Sequence, residues 1–116
     1  MDQDKAEQQN RIAGILANCR DKNVNVETLA VFYQLLKKTL ALPCDVVCIS
    51  DLENYELYAI ENSGDDFYGI LGKLKLSSDE KKEVVIPLCD LKAADNRSLE
   101  YMLLLDYASW FVNAQL

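Results

Sequence analysis

Residues 45–66 read DVVCISDLENYELYAIENSGDD, and this stretch decides the fold. It contains two short apolar runs, residues 46–49 and 55–60, whose Val, Ile and Tyr content is typical of β-strands. A polar break at residues 51–54 separates the runs, and residues 62–66 have the composition of a turn. The stretch therefore predicts two strands that begin a small antiparallel sheet.

The same stretch is acidic throughout. Its seven carboxylates, with no base among them, give a charge of −7, which equals the formal net charge of the whole chain. Residues 1–42 carry six bases and five acids, whereas residues 43–116 carry six bases and fourteen acids. Contacts to nucleic-acid phosphates need Lys and Arg, so we expect no direct nucleic-acid binding. An acidic region on a β framework instead favours a cation or a basic protein surface as the partner.

The length of 116 residues fits a single domain covering residues 1–116. We predict a helical part over residues 1–42, a β-barrel part over residues 43–95 and a C-terminal helix over residues 96–116. No apolar run approaches the roughly 20 residues of a membrane span. The first ten residues are polar, unlike a signal peptide. We therefore expect a cytoplasmic protein that does not bind membranes.

Four cysteines occur in the chain, at positions 19, 44, 48 and 89. Cys44 and Cys48 lie in a predicted strand, where positions four apart are separated by roughly 13 Å. That distance is too long for a disulfide or for two ligands of one zinc ion. We expect the cysteines to be reduced and to serve as small apolar residues.

Two helices are predicted before the acidic stretch, over residues 4–20 and from Val26 to about Leu40. Each has an apolar stripe at spacings of three and four residues, and Asn25 is a suitable N-cap for the second helix. Pro43 ends the second helix. We expect the two helices to form an antiparallel pair with one side against a sheet.

The sequence after the acidic stretch predicts further strands. Residues 67–76 alternate well, and Gly69 and Gly72 indicate a bulge or sharp bend there. Residues 83–88 form a fourth strand, and Pro87 indicates that this strand ends there or lies at a sheet edge. The pattern predicts an α+β protein with two N-terminal helices, an SH3-like partial barrel of four to five antiparallel strands, and one C-terminal helix.

The C-terminal helix is predicted to begin at Ser98, a good N-cap. At 100° per residue, Asp106 falls on its apolar face between Leu103 and Trp110. A buried carboxylate is costly unless it is paired or hydrogen-bonded. We expect its partner to be a backbone N–H group, a tyrosine hydroxyl or a lysine.

Catalysis is not predicted. The chain has no histidine, which excludes Ser-His and Cys-His arrangements, and it has no glycine-rich phosphate-binding motif. Calcium binding is the leading functional hypothesis, because Ca²⁺ takes six to eight oxygen ligands from carboxylates, amides, carbonyls and water. The polar segments on either side of the second strand offer such oxygens, from Asp51, Glu53, Asn62, Asp65 and Asp66. The sequence leaves open whether these two segments meet.

A protein-interaction module without a metal is the alternative. In that interpretation an acidic barrel face, with exposed Tyr55, Glu56 and Tyr58, binds a basic protein surface. An accessory protein from a mobile element that mimics DNA is its extreme version. A homodimer through the helical side is also compatible with the pattern, since burial within one chain and between two chains look alike in sequence.

The order of segments resembles a known family. The helix ending in LKKTLALP (residues 36–43) runs into the first strand, the segment IPLCDL (residues 86–91) follows the fourth strand, and the chain closes on DYASWFV (residues 106–112). Over residues 29–112 this is similar to the small acidic bacterial calcium-binding proteins of the CcbP-like family. The resemblance implies an SH3-like barrel flanked by helices, with weak or sensor-like Ca²⁺ binding. It carries no individual calcium ligand across.

Overall fold

The computed structural model describes residues 2–115, with side chains from residue 5 onward. Met1 and Leu116, the ends of the predicted domain, lie outside this range. No helix within residues 2–115 is long and apolar enough to cross a membrane. The elements in chain order are α1 (Asp2–Ile15), α2 (Val26–Thr39), β1 (Cys44–Cys48), β2 (Asn54–Asn62), β3 (Ile70–Leu76), β4 (Asp79–Pro87), a 3₁₀ helix (Leu88–Asp90), β5 (Leu91–Ala93) and α3 (Leu99–Asn113). The predicted α+β architecture is confirmed.

The five strands form one antiparallel sheet in the order β4-β3-β2-β1-β5. The sheet is open, with β4 and β5 as its edges. Pro87 is the last residue of β4, and its missing N–H group costs no ladder bond at an edge strand. β4 begins at Asp79, four residues before the predicted start, because the charged residues after Ser78 pair with β3 while their side chains remain in solvent.

β2 contains a bulge. Of the two glycines predicted to mark a bulge or sharp bend, Gly69 lies at a bend just before β3 with a φ of +65°, and neither marks a bulge. The register with β3 shifts between Leu57 and Ala59, which leaves Tyr58 as the extra residue. Gly72 has a packing role instead. A Cβ atom there would lie 2.9 Å from the Leu57 side chain and 3.0 Å from the Leu91 side chain.

The first helix does not pair with the second as predicted. α1 packs mainly against α3, whereas α2 packs against β2. α1 also ends at Ile15 rather than at residue 20, and the chain continues as irregular turns. The Lys22 ammonium group donates hydrogen bonds to the carbonyl oxygens of Ala17 and Cys19 in these turns. The last turn of α1 is satisfied by backbone bonds from Leu16 to Ile12 and from Ala17 to Gly14, and Lys22 satisfies carbonyls of the turns that follow.

The core lies between the sheet and the helices. Asn25 caps α2, because its side chain accepts the Thr28 N–H at 3.0 Å while the Thr28 hydroxyl accepts the Asn25 N–H at 2.9 Å. This places Phe32 of α2 against α3, where its ring stacks on Trp110 with centroids 4.6 Å apart. The Trp110 indole N–H donates to the Lys22 carbonyl at 2.8 Å, which ties the loop between α1 and α2 to the same helix.

Candidate functional site

The turn between β1 and β2 is organised by Asp51. Its Oδ1 accepts a hydrogen bond from the Glu53 N–H at 2.8 Å, and its Oδ2 accepts one from the Tyr55 hydroxyl at 2.8 Å. The Glu53 N–H bond and then the Tyr55 bond lower the pKa of Asp51 below its ordinary value of 3.8. Leu52 completes the turn with a φ of 60°. The turn therefore holds a carboxylate that stays ionised at neutral pH.

Tyr55 is part of the core, and the expectation of an exposed Tyr55 was wrong. Its side chain points to the same side of the sheet as Leu57, and Tyr55 is only 7 % exposed. The hydrogen bond to Asp51, followed by burial, raises the pKa of Tyr55 to about 12. Tyr55 therefore supports the turn from the core side, and its buried side chain is not accessible to a binding partner.

The carboxylate of Asp90, which belongs to a distant segment of the chain, also lies at this turn. The Ser50 hydroxyl donates to Oδ2 of Asp90 at 2.6 Å, and the Cys48 thiol lies 3.4 Å from the same oxygen. The Ile49 N–H also donates to the Asp90 backbone carbonyl at 2.8 Å. Asp90 was not among the ligands predicted from sequence, although it is the acid in the segment IPLCDL. Its position follows from the pairing of β5 with β1, which sequence spacing does not reveal.

The loop between β2 and β3 holds the other predicted ligands. Oδ1 of Asn62 accepts the Gly64 N–H at 3.0 Å, and Oδ1 of Asp65 accepts the Phe67 N–H at 2.7 Å. Asp65 and Asp66 are exposed, and they line an open groove against Asn25 and Val26 at the start of α2. The loop is thus a tight turn stabilised by its own side chains, with the carboxylates of Asp65 and Asp66 exposed to solvent.

The two acidic segments do not meet. They lie at opposite ends of β2, whose nine residues span about 26 Å at 3.3 Å per residue. No single site therefore combines Asp51 and Glu53 with Asn62, Asp65 and Asp66. Within residues 2–115, no group of three or more carboxylate, thiol or imidazole side chains is arranged to hold a metal ion.

The outer face of the sheet carries both signs of charge. Glu56 lies opposite Lys75 of β3, and Lys75 in turn lies opposite Glu83 of β4. The Lys75 ammonium group also sits 5.2 Å from the centre of the Tyr58 ring. Nζ of Lys73 is 4.0 Å from a carboxylate oxygen of Glu61. Lys73 and Lys75 of β3 therefore offset part of the negative charge of residues 45–66, which contain no basic residue of their own.

Asp106 is buried between α3 and α1, with 1 % of its surface exposed. The Arg11 guanidinium donates to both of its carboxylate oxygens, at 2.7 and 2.9 Å, and the Gln8 amide donates to Oδ1 at 3.1 Å. These partners differ from the backbone N–H, tyrosine hydroxyl or lysine that we expected, because α1 rather than the sheet covers this side of α3. The hydrogen bond to Asp106 is the main cause that raises the pKa of Arg11. Both carboxylate oxygens of Asp106 are thus used to hold α3 against α1.

No protein-family model and no curated protein sequence matches this chain. Two solved structures are similar to it. The crystal structure of Anabaena CcbP has a TM-score of 0.72 at 16 % identity, over 96 % of this chain and 94 % of that chain. The structure of a calcium binding protein in the calcium-binding form has a TM-score of 0.70 at 15 % identity, over 95 % of this chain and 93 % of that chain. The predicted resemblance is confirmed: this chain has the fold of CcbP.

Proposed function

We propose that this protein binds Ca²⁺ weakly at the β1–β2 turn, with Asp51, Glu53 and Asp90 as the carboxylate ligands. The observation that carries the proposal is the position of Asp90, whose side chain joins the turn through Ser50 at 2.6 Å. The turn thereby presents acids from two separate segments of the chain. The choice of Ca²⁺ is supported by the two similar structures, one of which is described as a calcium binding protein in the calcium-binding form.

The donor chemistry of the turn suits a hard cation. Carboxylate, hydroxyl and carbonyl oxygens are the ligands that Ca²⁺ prefers. Asp51 is an anion at neutral pH, and hydrogen bonds from the Glu53 N–H and the Tyr55 hydroxyl lower its pKa further. Burial raises the pKa of the nearby Cys48 thiol, so this sulfur stays neutral and does not attract a softer metal as a thiolate.

The arrangement favours weak binding over tight binding. Asp51 already accepts a hydrogen bond on each oxygen. Because no group of three such side chains is preassembled in the described part of the chain, the exposed Glu53 side chain has to become ordered when the ion binds. Water supplies the remaining positions of a six- to eight-coordinate shell. Few protein ligands and the ordering of Glu53 both reduce affinity.

A calorimetric titration with CaCl₂ up to about 10 mM, beyond the ~0.1–1 mM dissociation constants of weak protein sites, tests the proposal. We expect saturable heat and a rise in melting temperature for the natural chain. Amide chemical shifts should move at residues 48–54 and at Asp90. Asp90→Asn should remove most of the heat, and the matched control Glu80→Gln, in the β3–β4 hairpin, should not. No heat together with an unchanged melting temperature would exclude the proposal, and shifts confined to residues 62–69 would move the site to the other loop.

A basic protein partner at the β2–β3 loop is the second candidate function. The specific observation is that exposed Asp65 and Asp66 are followed by Phe67 and Tyr68, which are 74 % and 50 % exposed. The two rings pack edge to face with centroids 4.9 Å apart. Aromatic residues are enriched at protein interfaces, and the two acids suit cationic side chains.

Capture from a cell lysate, with and without a calcium chelator, tests the second candidate. A partner that is retained with chelator and lost on Asp65→Asn/Asp66→Asn or Phe67→Ala supports it. Glu80→Gln serves as the control for a change of one exposed acid. Retention by all variants would show that the loop is not the contact surface.

A further inference from the structure

The Tyr55 side chain connects the core to the surface of the β1–β2 turn. Tyr55 is 7 % exposed, and in the sheet it lies between Val46 of β1 and Leu76 of β3. A ring packed in a protein interior keeps one orientation, because its neighbours leave no room for another. Its hydroxyl nevertheless reaches the exposed residue Asp51 and donates to Oδ2 at 2.8 Å. A fixed side chain thus carries a hydrogen-bond donor from the core to the turn.

We propose that Tyr55 is a positioning residue for calcium, whose hydroxyl orients the Asp51 carboxylate towards the ion. This inference rests on the proposed function of the turn. An ionised carboxylate has about four lone-pair positions, two on each oxygen. The Glu53 N–H occupies one position on Oδ1, and the Tyr55 hydroxyl occupies one on Oδ2. One position on each oxygen is left for the ion, and rotation of the carboxylate would break one of the two hydrogen bonds.

The other hydrogen-bond donors at the turn differ from Tyr55. Ser50 donates to Oδ2 of Asp90 at 2.6 Å, but Ser50 is exposed, so a water molecule can replace its hydroxyl. The Glu53 donor to Asp51 is a backbone N–H, which a side-chain substitution leaves in place. Replacement of Tyr55 is therefore the change that should show how the orientation of Asp51 affects affinity.

Hydrogen bonds to a ligating carboxylate tune the affinity for a metal ion. Loss of such a partner typically weakens binding about 10- to 100-fold. Asp51 is exposed and keeps its bond from Glu53 in Tyr55→Phe, so we expect the lower end of this range, roughly tenfold. The phenylalanine ring preserves the packing of the core, and only the donor is lost.

A titration with CaCl₂, followed by amide chemical shifts at residues 48–54, compares Tyr55→Phe with the natural chain. It extends to about 50 mM at constant ionic strength, because a tenfold loss moves a dissociation constant of ~0.1–1 mM to about 1–10 mM. Tyr107→Phe is the matched control. It also removes a buried hydroxyl, which accepts the Ile70 N–H at the opposite end of β2 from Tyr55. Its dissociation constant should equal that of the natural chain, and melting temperatures establish that both variants are folded.

A spectroscopic signal separates positioning from a purely structural role. In protein labelled with ¹³C at the tyrosine ζ carbon, the Tyr55 resonance is the one that is absent from Tyr55→Phe. An ion bound to Asp51 withdraws charge from Oδ2 and weakens the bond from the hydroxyl. The Tyr55 resonance should therefore move with the same dissociation constant as the amide shifts. A resonance that stays in place while calcium binds would overturn the proposal.

Failure of the proposed function and failure of the Tyr55 role give different results. A natural chain without calcium-dependent shifts at residues 48–54 contradicts the proposed function, and the Tyr55 role with it. Calcium binding with the same dissociation constant in the natural chain and in Tyr55→Phe contradicts the Tyr55 role alone. Equal weakening by Tyr107→Phe also overturns that role, because it would reflect a general loss of stability.

Discussion

The Arg11 guanidinium and the Asp106 carboxylate form two hydrogen bonds of 2.7 and 2.9 Å between α1 and α3. Asp106 is 1 % exposed, whereas the Arg11 side chain is 35 % exposed. The buried charge of Asp106 is therefore neutralised by a partly exposed residue at the edge of the core. The pair therefore joins α1 to α3, alongside the core contact of Ile12.

Replacing Arg11 should destabilise the protein more than replacing both partners. Arg11→Met leaves the Asp106 carboxylate buried with only Gln8, and we expect a loss of about 2–3 kcal/mol, reduced by the partial exposure of Arg11. In Arg11→Met/Asp106→Leu the uncompensated charge is absent, so the loss should be smaller than for Arg11→Met alone. Urea denaturation of both variants measures the difference. Equal losses would show that the ion pair adds nothing beyond packing.

Gly69 should tolerate no side chain. Its φ is +65°, and a Cβ atom there would overlap the Tyr107 hydroxyl and the Phe111 ring. The same Tyr107 hydroxyl accepts the Ile70 N–H at 2.9 Å, so any displacement also disturbs the start of β3. Gly69→Ala should therefore cost more than about 2 kcal/mol, the sum of backbone strain and a core clash.

Gly64→Ala is the matched control for Gly69→Ala. Gly64 also has a positive φ, +75°, but a Cβ atom there would meet no neighbour within 4 Å. Only the backbone strain remains, about 1 kcal/mol. Thermal denaturation of the two variants separates strain from overlap, and equal losses would contradict the packing role of Gly69.

The sequence predicted those features that depend on residues close together in the chain. The change of period after Pro43, the Asn25 and Ser98 caps and the end of β4 at Pro87 are all local, and the structure has them. The bulge at Tyr58 has no such signal, since no glycine marks it. The bulge allows Leu57 and Ile60, which are three positions apart, to pack against the same core.

The candidate site was less accessible to sequence reasoning. Asp51 and Glu53 could be chosen from their turn, but Asp90 reaches them only through the pairing of β5 with β1. The high number of acids in residues 45–66 also suggested one acidic cluster, whereas the predicted ligands lie in two groups at opposite ends of β2. Tyr55 looked like an exposed aromatic residue because its hydrogen bond to Asp51 depends on the geometry of the turn.

Tyr55 should make stability fall at high pH. Its pKa is raised to about 12 from the ordinary value of 10, so the folded protein favours the protonated hydroxyl. A raised pKa in the folded state gives a contribution that is fully present below pH 10 and is lost as the pH rises from 10 to 12. Tyr55→Phe should reduce that decline, because the phenylalanine has no proton to lose. Urea denaturation of both proteins across this pH range measures the effect, and identical pH profiles would show that Tyr55 does not contribute.

Lys75 should contribute to stability because acidic residues lie opposite it on both neighbouring strands. It lies between Glu56 of β2 and Glu83 of β4, and Glu56 also faces Asp45 of β1. Lys75→Glu would place four acids in one row across four strands. Like charges on directly opposite residues are destabilising, so we expect a loss of about 1–2 kcal/mol at low salt.

Salt should distinguish this repulsion from a general effect of added charge. The acids are on the outer face, where mobile ions screen them, so the loss for Lys75→Glu should shrink at ~1 M NaCl, where the Debye length is about 3 Å. Lys82→Glu is the control, because it makes the same change of charge at an exposed residue of β4 with no predicted row of acids. Urea denaturation at low and high salt measures both variants. If Lys82→Glu is as destabilising as Lys75→Glu, net charge rather than the cross-strand row is responsible.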